Sequence, residues 1–99
     1  MNELLTWIQD WYLSNCNGDW EHFYSFKIET LDNPGWTITI DLNETTLENV
    51  PFQVIDLERS QQDWIACKVE LNQFKAACGP QNLSEVLTVF QTWAMSVSN

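Results

Sequence analysis

Hydrophobic residues near both ends of the chain recur with the spacing of an α-helix. The first stretch predicts a helix that stops near Asn17 and Gly18, because glycine is typical of the position after a helix. The second stretch follows Asn82, where the sequence Asn-Leu-Ser-Glu is typical of a helix start. The apolar faces consist of Leu4, Leu5, Trp7, Ile8, Trp11 and Tyr12 in the first helix, and of Leu83, Val86, Leu87, Phe90, Trp93, Ala94 and Val97 in the second.

Between the two helices, apolar and polar residues alternate with the period of two that is typical of β-strands. The alternation starts near His22, breaks at residues 32–35 and resumes as far as Leu42, which predicts a β-hairpin. Pro34 suits the first central position of the turn, and Gly35 would supply the positive φ that a type II turn requires next. Three further strands are predicted near residues 52–59, 63–70 and 73–78.

This order of elements predicts one α+β domain that spans residues 1–99. Strands joined by short turns pair antiparallel, and two helices with one apolar face each need an apolar sheet face to cover. We therefore expect a five-stranded antiparallel meander sheet with the N- and C-terminal helices packed on one face. A chain of 99 residues is long enough for one hydrophobic core of this kind.

The charge balance narrows the class of partner. The chain has fourteen Asp or Glu residues and four Lys or Arg residues, which gives a net charge of −10 with His22 neutral. Nucleic acids and anionic membranes attract clustered basic residues, so we expect this chain to bind neither. The N-terminal stretch lacks the features of a signal peptide, and no apolar run is long enough to cross a membrane. A strongly acidic protein suits fast capture of a basic partner.

The side chains that could support catalysis form a weak pattern. Cys16, Asp19 and His22 combine a thiol, a carboxylate and an imidazole within seven residues, whereas active cysteine sites usually assemble from distant positions. Cys67 and Cys78 add neither a metal-binding spacing nor a disulfide framework. We therefore expect no catalytic residue, no metal and no cofactor, and a reducing cytoplasmic location. A thiol-dependent enzyme that uses Cys16 or Cys78 is the alternative.

Residues at both ends of the first hairpin strand are candidates for partner binding. They are Asp32, Asn33 and Trp36 at the turn, and Asp19, Trp20 and Glu21 at the junction before the strand. Each group offers polar side chains and an indole, a combination found at protein interfaces. Opposite ends of a strand cannot share one compact contact, and we favour the turn. The same turn sequence also explains the reversal of the chain without any role in binding.

A second pair of acids stands out by its spacing. Asp56 and Glu58 are two residues apart in a predicted strand, which places both carboxylates on one face. The pair could serve a hydrolase, but a solvated acidic face is the favoured interpretation.

Four stretches of the chain form a distinctive combination. They are WIQDWYLSNCNGDWEH at residues 7–22, KIETLDNPGW at 27–36, DWIACKV at 63–69 and ACGPQNLSEVL at 77–87. Together they resemble the immunity protein 53 family of bacterial polymorphic toxin systems, in the family's order and over nearly the whole chain. The pairing of DWEH with LDNPGW carries most of the resemblance. This chain has Asn17 at a position where the family usually has Asp.

The resemblance implies a cytoplasmic antidote that is encoded beside a secreted toxin and protects the producing cell and its kin. It would bind the toxin domain, and its acidic surface would suit a basic toxin such as a nuclease, whose active site it would occlude. The family pairs with varied toxins, and the resemblance carries over no catalytic or interface residue. A generic adaptor with an unrelated partner is a third interpretation, which the identity of the neighbouring gene would separate.

Overall fold

Three helices and five strands follow one another in residues 3–97, the part of the chain that the computed structural model describes. They are α1 (Glu3–Asn15), α2 (Trp20–Phe23), β1 (Phe26–Leu31), β2 (Gly35–Asp41), β3 (Ile55–Glu58), β4 (Trp64–Glu70), β5 (Gln73–Cys78) and α3 (Leu83–Val97). Met1, Asn2, Ser98 and Asn99 of the predicted domain lie outside the described residues.

The five strands form one antiparallel sheet in the order β1-β2-β5-β4-β3. The predicted class, an α+β fold with a five-stranded antiparallel sheet and terminal helices, is confirmed. The order differs from a simple meander because β2 pairs with β5 and not with β3. A simple meander would leave β5 at an edge, yet β5 has no exposed residue and every second residue along it is buried. Residues 42–54 carry the chain from β2 to the far edge, where β3 begins.

One face of the sheet carries the hydrophobic core. Directly paired residues lie on the same face, and Ile40 of β2 is paired with Phe74 of β5. The rings of Trp7 and Trp11 in α1 meet Phe90 of α3 edge-on, with centroids 6.1 and 5.0 Å apart. Both terminal helices therefore pack on this face. The buried residues that α3 adds to the core are Val86, Leu87, Phe90 and Ala94.

The segment before β1 is a helical turn and not the start of the strand, which corrects the predicted strand start near His22. The side-chain oxygen of Asn17 accepts hydrogen bonds from the backbone N–H groups of Asp19 and Trp20, both at 2.9 Å. These bonds support the single turn of α2. The turn directs Trp20 into the protein, where its indole donates to the carbonyl oxygen of Asn43 at 2.8 Å.

Gly35 has a different role from the predicted one. It lies inside β2, paired with Leu31, and its φ is not positive, so the reversal is made by residues 32–34. A Cβ atom at this position would overlap the backbone carbonyl oxygen of Cys78. Glycine is therefore required for the close approach of β2 to β5. The glycine with a positive φ is Gly18, at 95°, just after α1.

Phe90→Ala should strongly destabilise the fold. The Phe90 ring is fully buried and contacts rings from α1, β1 and β5, so its removal leaves a cavity where three elements meet. We expect a loss of about 3–5 kcal/mol in the free energy of unfolding, measured by denaturant titration. Thr92→Ala on the exposed side of the same helix is the control and should change the free energy by less than about 0.5 kcal/mol. Similar losses for both variants would contradict this packing.

Candidate partner-binding surface

The two predicted binding segments lie at opposite ends of β1. Residues 19–21 precede the strand, and Asp32 and Asn33 follow it on an exposed turn. The six residues of β1 separate the segments by about 20 Å at 3.3 Å per residue. The structure therefore does not bring the six candidate residues together. This agrees with the expectation from the sequence that the two groups lie at opposite ends of a strand.

The turn between β1 and β2 lies beside the start of β4 and the end of β3. Asn33 and Pro34 line a pocket of about 460 Å³ together with Asp56, Glu58 and Trp64. We call this the tip pocket; Leu57 and Gln61 complete its lining. Asp56 and Glu58 are exposed, and their i, i+2 spacing does place them on one face of β3. Their position beside the turn was not predictable, since it depends on the strand order.

The two tryptophans among the candidate residues have structural roles. Trp20 is 1% exposed and its indole N–H is satisfied, so the expectation that it lies at a binding surface is wrong for this fold. Trp36 is half-buried against the core and donates its indole N–H to the carbonyl oxygen of Pro80 at 3.0 Å. The expected exposed indole on the turn is therefore not there. The indole of the tip pocket comes from Trp64 in β4.

The acids of the other segment differ in what they contact. Glu21 accepts hydrogen bonds from the backbone N–H groups of Asn17 and Gly18, both at 3.0 Å. Its own backbone N–H and these two groups hold the pKa of Glu21 below its usual range. Glu21 thus shapes the turn that precedes β1. Asp19 is exposed.

The sheet face away from the helices, which we call the open face, is polar. The register places Lys27, Lys68 and Lys75 in one row that crosses β1, β5 and β4. Lys75 and Lys68 both lie near Glu70, at 3.1 and 3.6 Å. The open face also carries five acidic residues, so it has no excess of positive charge. The acids are Glu29, Asp41, Asp56, Glu58 and Glu70.

Arg59 is engaged in a cluster that joins the turn after β3 to the start of α3. Its guanidinium lies 3.0 Å from Asp63 and 2.6 Å from Glu85. Asn82, which is 7% exposed, donates its side-chain N–H groups to the same two carboxylates and accepts the backbone N–H of Trp64. Hydrogen bonds from Arg59 lower the pKa of both Asp63 and Glu85. These two carboxylates are therefore already paired within the protein.

The cysteines are placed as structural residues. Cys67 and Cys78 are buried, and burial raises the pKa of each thiol to about 11. A thiol with so high a pKa is a poor nucleophile at neutral pH, which disfavours a reaction at Cys78. Cys16 is half-buried and donates its S–H to the carbonyl oxygen of Tyr12 at 3.3 Å, while His22 is exposed on α2.

The geometry also gives information on metal clusters and on membrane-spanning helices. Within residues 3–97, no three His, Cys, Asp or Glu side chains come together in a way that could hold a metal ion. No helix in the same part of the chain combines the length and the apolar character that crossing a bilayer requires.

The fold and the surface together define an acidic α+β domain with exposed carboxylates beside a partly exposed indole. The family model Immunity protein 53 matches residues 5–95, and the chain belongs to this family. Membership supports an immunity function in general and implies that the chain binds a cognate toxin. A search of curated proteins and a search of solved structures gave no match.

Alkylation of the native protein should distinguish the three thiols. We expect Cys16 to react and Cys67 and Cys78 to remain unmodified. Cys67 and Cys78 are buried, and their raised pKa leaves about 100-fold less thiolate than a thiol with the usual pKa would have. Mass spectrometry should then find one label on the native chain and three after unfolding. The native Cys16→Ser variant should carry none. Labelling of Cys78 in the native protein as fast as Cys16 would contradict this placement.

Proposed function

We propose that this protein is the cytoplasmic antidote of a bacterial polymorphic toxin system, and that it acts by covering the active site of a basic toxin domain such as a nuclease. Membership of the immunity family carries the proposal. The distribution of charge supports the kind of toxin. Asp63, Glu70 and Glu85 account for the ion pairs found within residues 3–97, which leaves the other eleven acids without an ion-pair partner in that range.

A nuclease is a fitting target because its substrate is a polyanion. The cleft that binds nucleic acid must present Lys and Arg side chains to the phosphates. A protein with a net charge of −10 is attracted to such a cleft over a long range and can occupy it in place of the substrate. Neutralisation then needs no reaction by the antidote, only a complex that dissociates slowly.

The tip pocket and the turn beside it are the surface that we assign to the toxin. Asp32 and Asn33 are exposed on the turn, and Asp56 and Glu58 border the pocket on its other side. A Lys or Arg side chain that enters between them would form charge-assisted hydrogen bonds to the carboxylates. The indole of Trp64 would offer its face to the same cation.

Co-expression tests the function directly. Expression of the toxin domain encoded beside this chain should arrest growth of a host cell, and co-expression of the wild-type chain should restore growth, because the complex removes active toxin. Colony counts under inducing conditions measure the effect, and an unrelated acidic protein of similar size is the control. A soluble, folded chain that does not restore growth would contradict the proposal.

Charge reversal tests the assigned surface. Asp32→Lys and its control Asp10→Lys both change the net charge from −10 to −8. Asp10 lies in α1, far from the turn. Its neighbour Trp11 contacts the ring of Trp20, which lies at the opposite end of the sheet. Both variants should slow association to a similar extent at low salt. Only Asp32→Lys should speed dissociation, by about tenfold or more, because it loses a contact inside the interface.

Surface plasmon resonance with the immobilised toxin domain, at low and high salt, separates the two effects. The wild-type association rate should fall several-fold as salt rises, with less change in dissociation. Equal dissociation rates for the two variants would place the interface away from the turn.

A further inference from the structure

β3 is an edge strand whose outer side is open. It pairs with β4 on one side and is the last strand of the sheet within residues 3–97. Between β3 and α3 lies a groove of about 670 Å³ with an apolar floor and a row of hydroxyl groups from α3 along one wall. Its apolar lining consists of Phe52, Val54, Ile55, Val89 and Trp93. Val54 is 65% exposed, so this apolar surface is open to solvent.

The register identifies the backbone groups on the outer side of β3. The N–H of Arg59 bonds to the carbonyl oxygen of Asp63 at 2.9 Å, so the backbone of Arg59 points toward β4. Because backbone direction alternates along a strand, Leu57 and Ile55 also bond inward, as their pairing with β4 requires. The N–H and C=O groups of Asp56 and Glu58 therefore point away from the sheet.

Charge determines which strand this edge can accept. Asp56 and Glu58 project from β3 on the open face, so a second copy of the chain would place carboxylates beside carboxylates. A segment with Lys or Arg at alternate positions would instead place each cation beside a carboxylate. Its intervening residues would point to the side of the sheet where Ile55 and Trp93 form the apolar groove.

On the basis of the proposed function, we propose that the toxin contributes an extended segment that pairs with the outer edge of β3 as a sixth strand. The segment alternates basic residues, which contact Asp56 and Glu58, with apolar residues, which fill the groove against α3. The tip pocket also contains Asp56 and Glu58, so the added strand and the turn between β1 and β2 belong to one continuous interface. A standard interface of about 800 Å² per partner is large enough to cover both.

Hydrogen exchange of backbone amides, followed by NMR with and without the purified toxin domain, tests the pairing. In the free protein the amides of Asp56 and Glu58 should exchange fast. In the complex their exchange should slow by about tenfold or more, because they become donors to the added strand. Ile28 and Thr30 on β1, the opposite edge strand, are the matched controls. The backbone N–H of Asp41 donates to the carbonyl oxygen of Ser25, so the backbone of Ser25 points toward β2. Because backbone direction alternates along the strand, the amides of Ile28 and Thr30 point outward. Their exchange should stay unchanged.

Proline substitution gives a second measurement. Asp56→Pro removes an outward N–H group that an edge strand can lose without harm to its own sheet, and Ile28→Pro does the same on β1. Asp56→Asn keeps the N–H but removes the charge. We expect affinity for the toxin domain to fall most for Asp56→Pro, by about tenfold or more, less for Asp56→Asn, and little for Ile28→Pro.

The outcomes separate this inference from the proposed function. Slowed exchange at Asp56 and Glu58 in the complex supports strand addition. Tight toxin binding without any change at these amides overturns strand addition and leaves the antidote function in place. Slow exchange of these amides already in the free protein would overturn strand addition in the same way. A folded chain that binds no toxin overturns both.

Discussion

The pairing of β2 with β5 determines the arrangement of the remaining parts of the molecule. Six residue pairs, from Trp36 with Cys78 to Asp41 with Gln73, join the N-terminal hairpin to the C-terminal three strands. This pairing makes the apolar residues of all five strands one continuous face, so that α1 and α3 can cover it together. It also brings the turn between β1 and β2 to the end of the sheet where β3 ends and β4 begins. The close approach at Gly35, which allows no side chain, shows how tightly the pair is fitted.

The sequence pattern predicted most of the elements because each depends on local periodicity. The predicted helix with the apolar face that begins at Leu83 agrees with α3 within a residue or two. The alternation in residues 73–78 agrees equally well with β5. The strand order was not predictable from periodicity, since alternation tells which face a residue occupies but not which strand lies beside it. The turn at Trp20 was missed for a different reason. The hydrogen bond that the Asn17 side chain accepts from the backbone N–H of Trp20, together with the burial of one indole, outweighs a weak alternating pattern.

The candidate site was predictable only in part. Asp32 and Asn33 are exposed on the turn, as their residue types indicate, because Asp, Asn and Pro favour reversals at the surface. Trp36 lies two residues after Pro34, inside β2. There the preference of a large ring for the core determines the position of the side chain. Asp56 and Glu58 were recognisable as an acidic face but not as neighbours of the turn. That relation is tertiary, and it arises from the β2–β5 pairing.

β2 and β5 are neighbours in the sheet but far apart in the sequence, and this determines when the fold can be completed. A ribosome releases the N-terminal half first, and at that stage β2 has β1 as its neighbour but lacks its other partner. The paired residues of β2 and β5 are 32 to 42 positions apart. Such contacts form late and slowly, because a long loop must close before they are made. The tip pocket needs β3, β4 and β5 in place beside the hairpin, so it forms only after β5 has been synthesised. An unfinished chain therefore lacks the tip pocket, and the surface that we assign to the toxin is complete only in the finished fold.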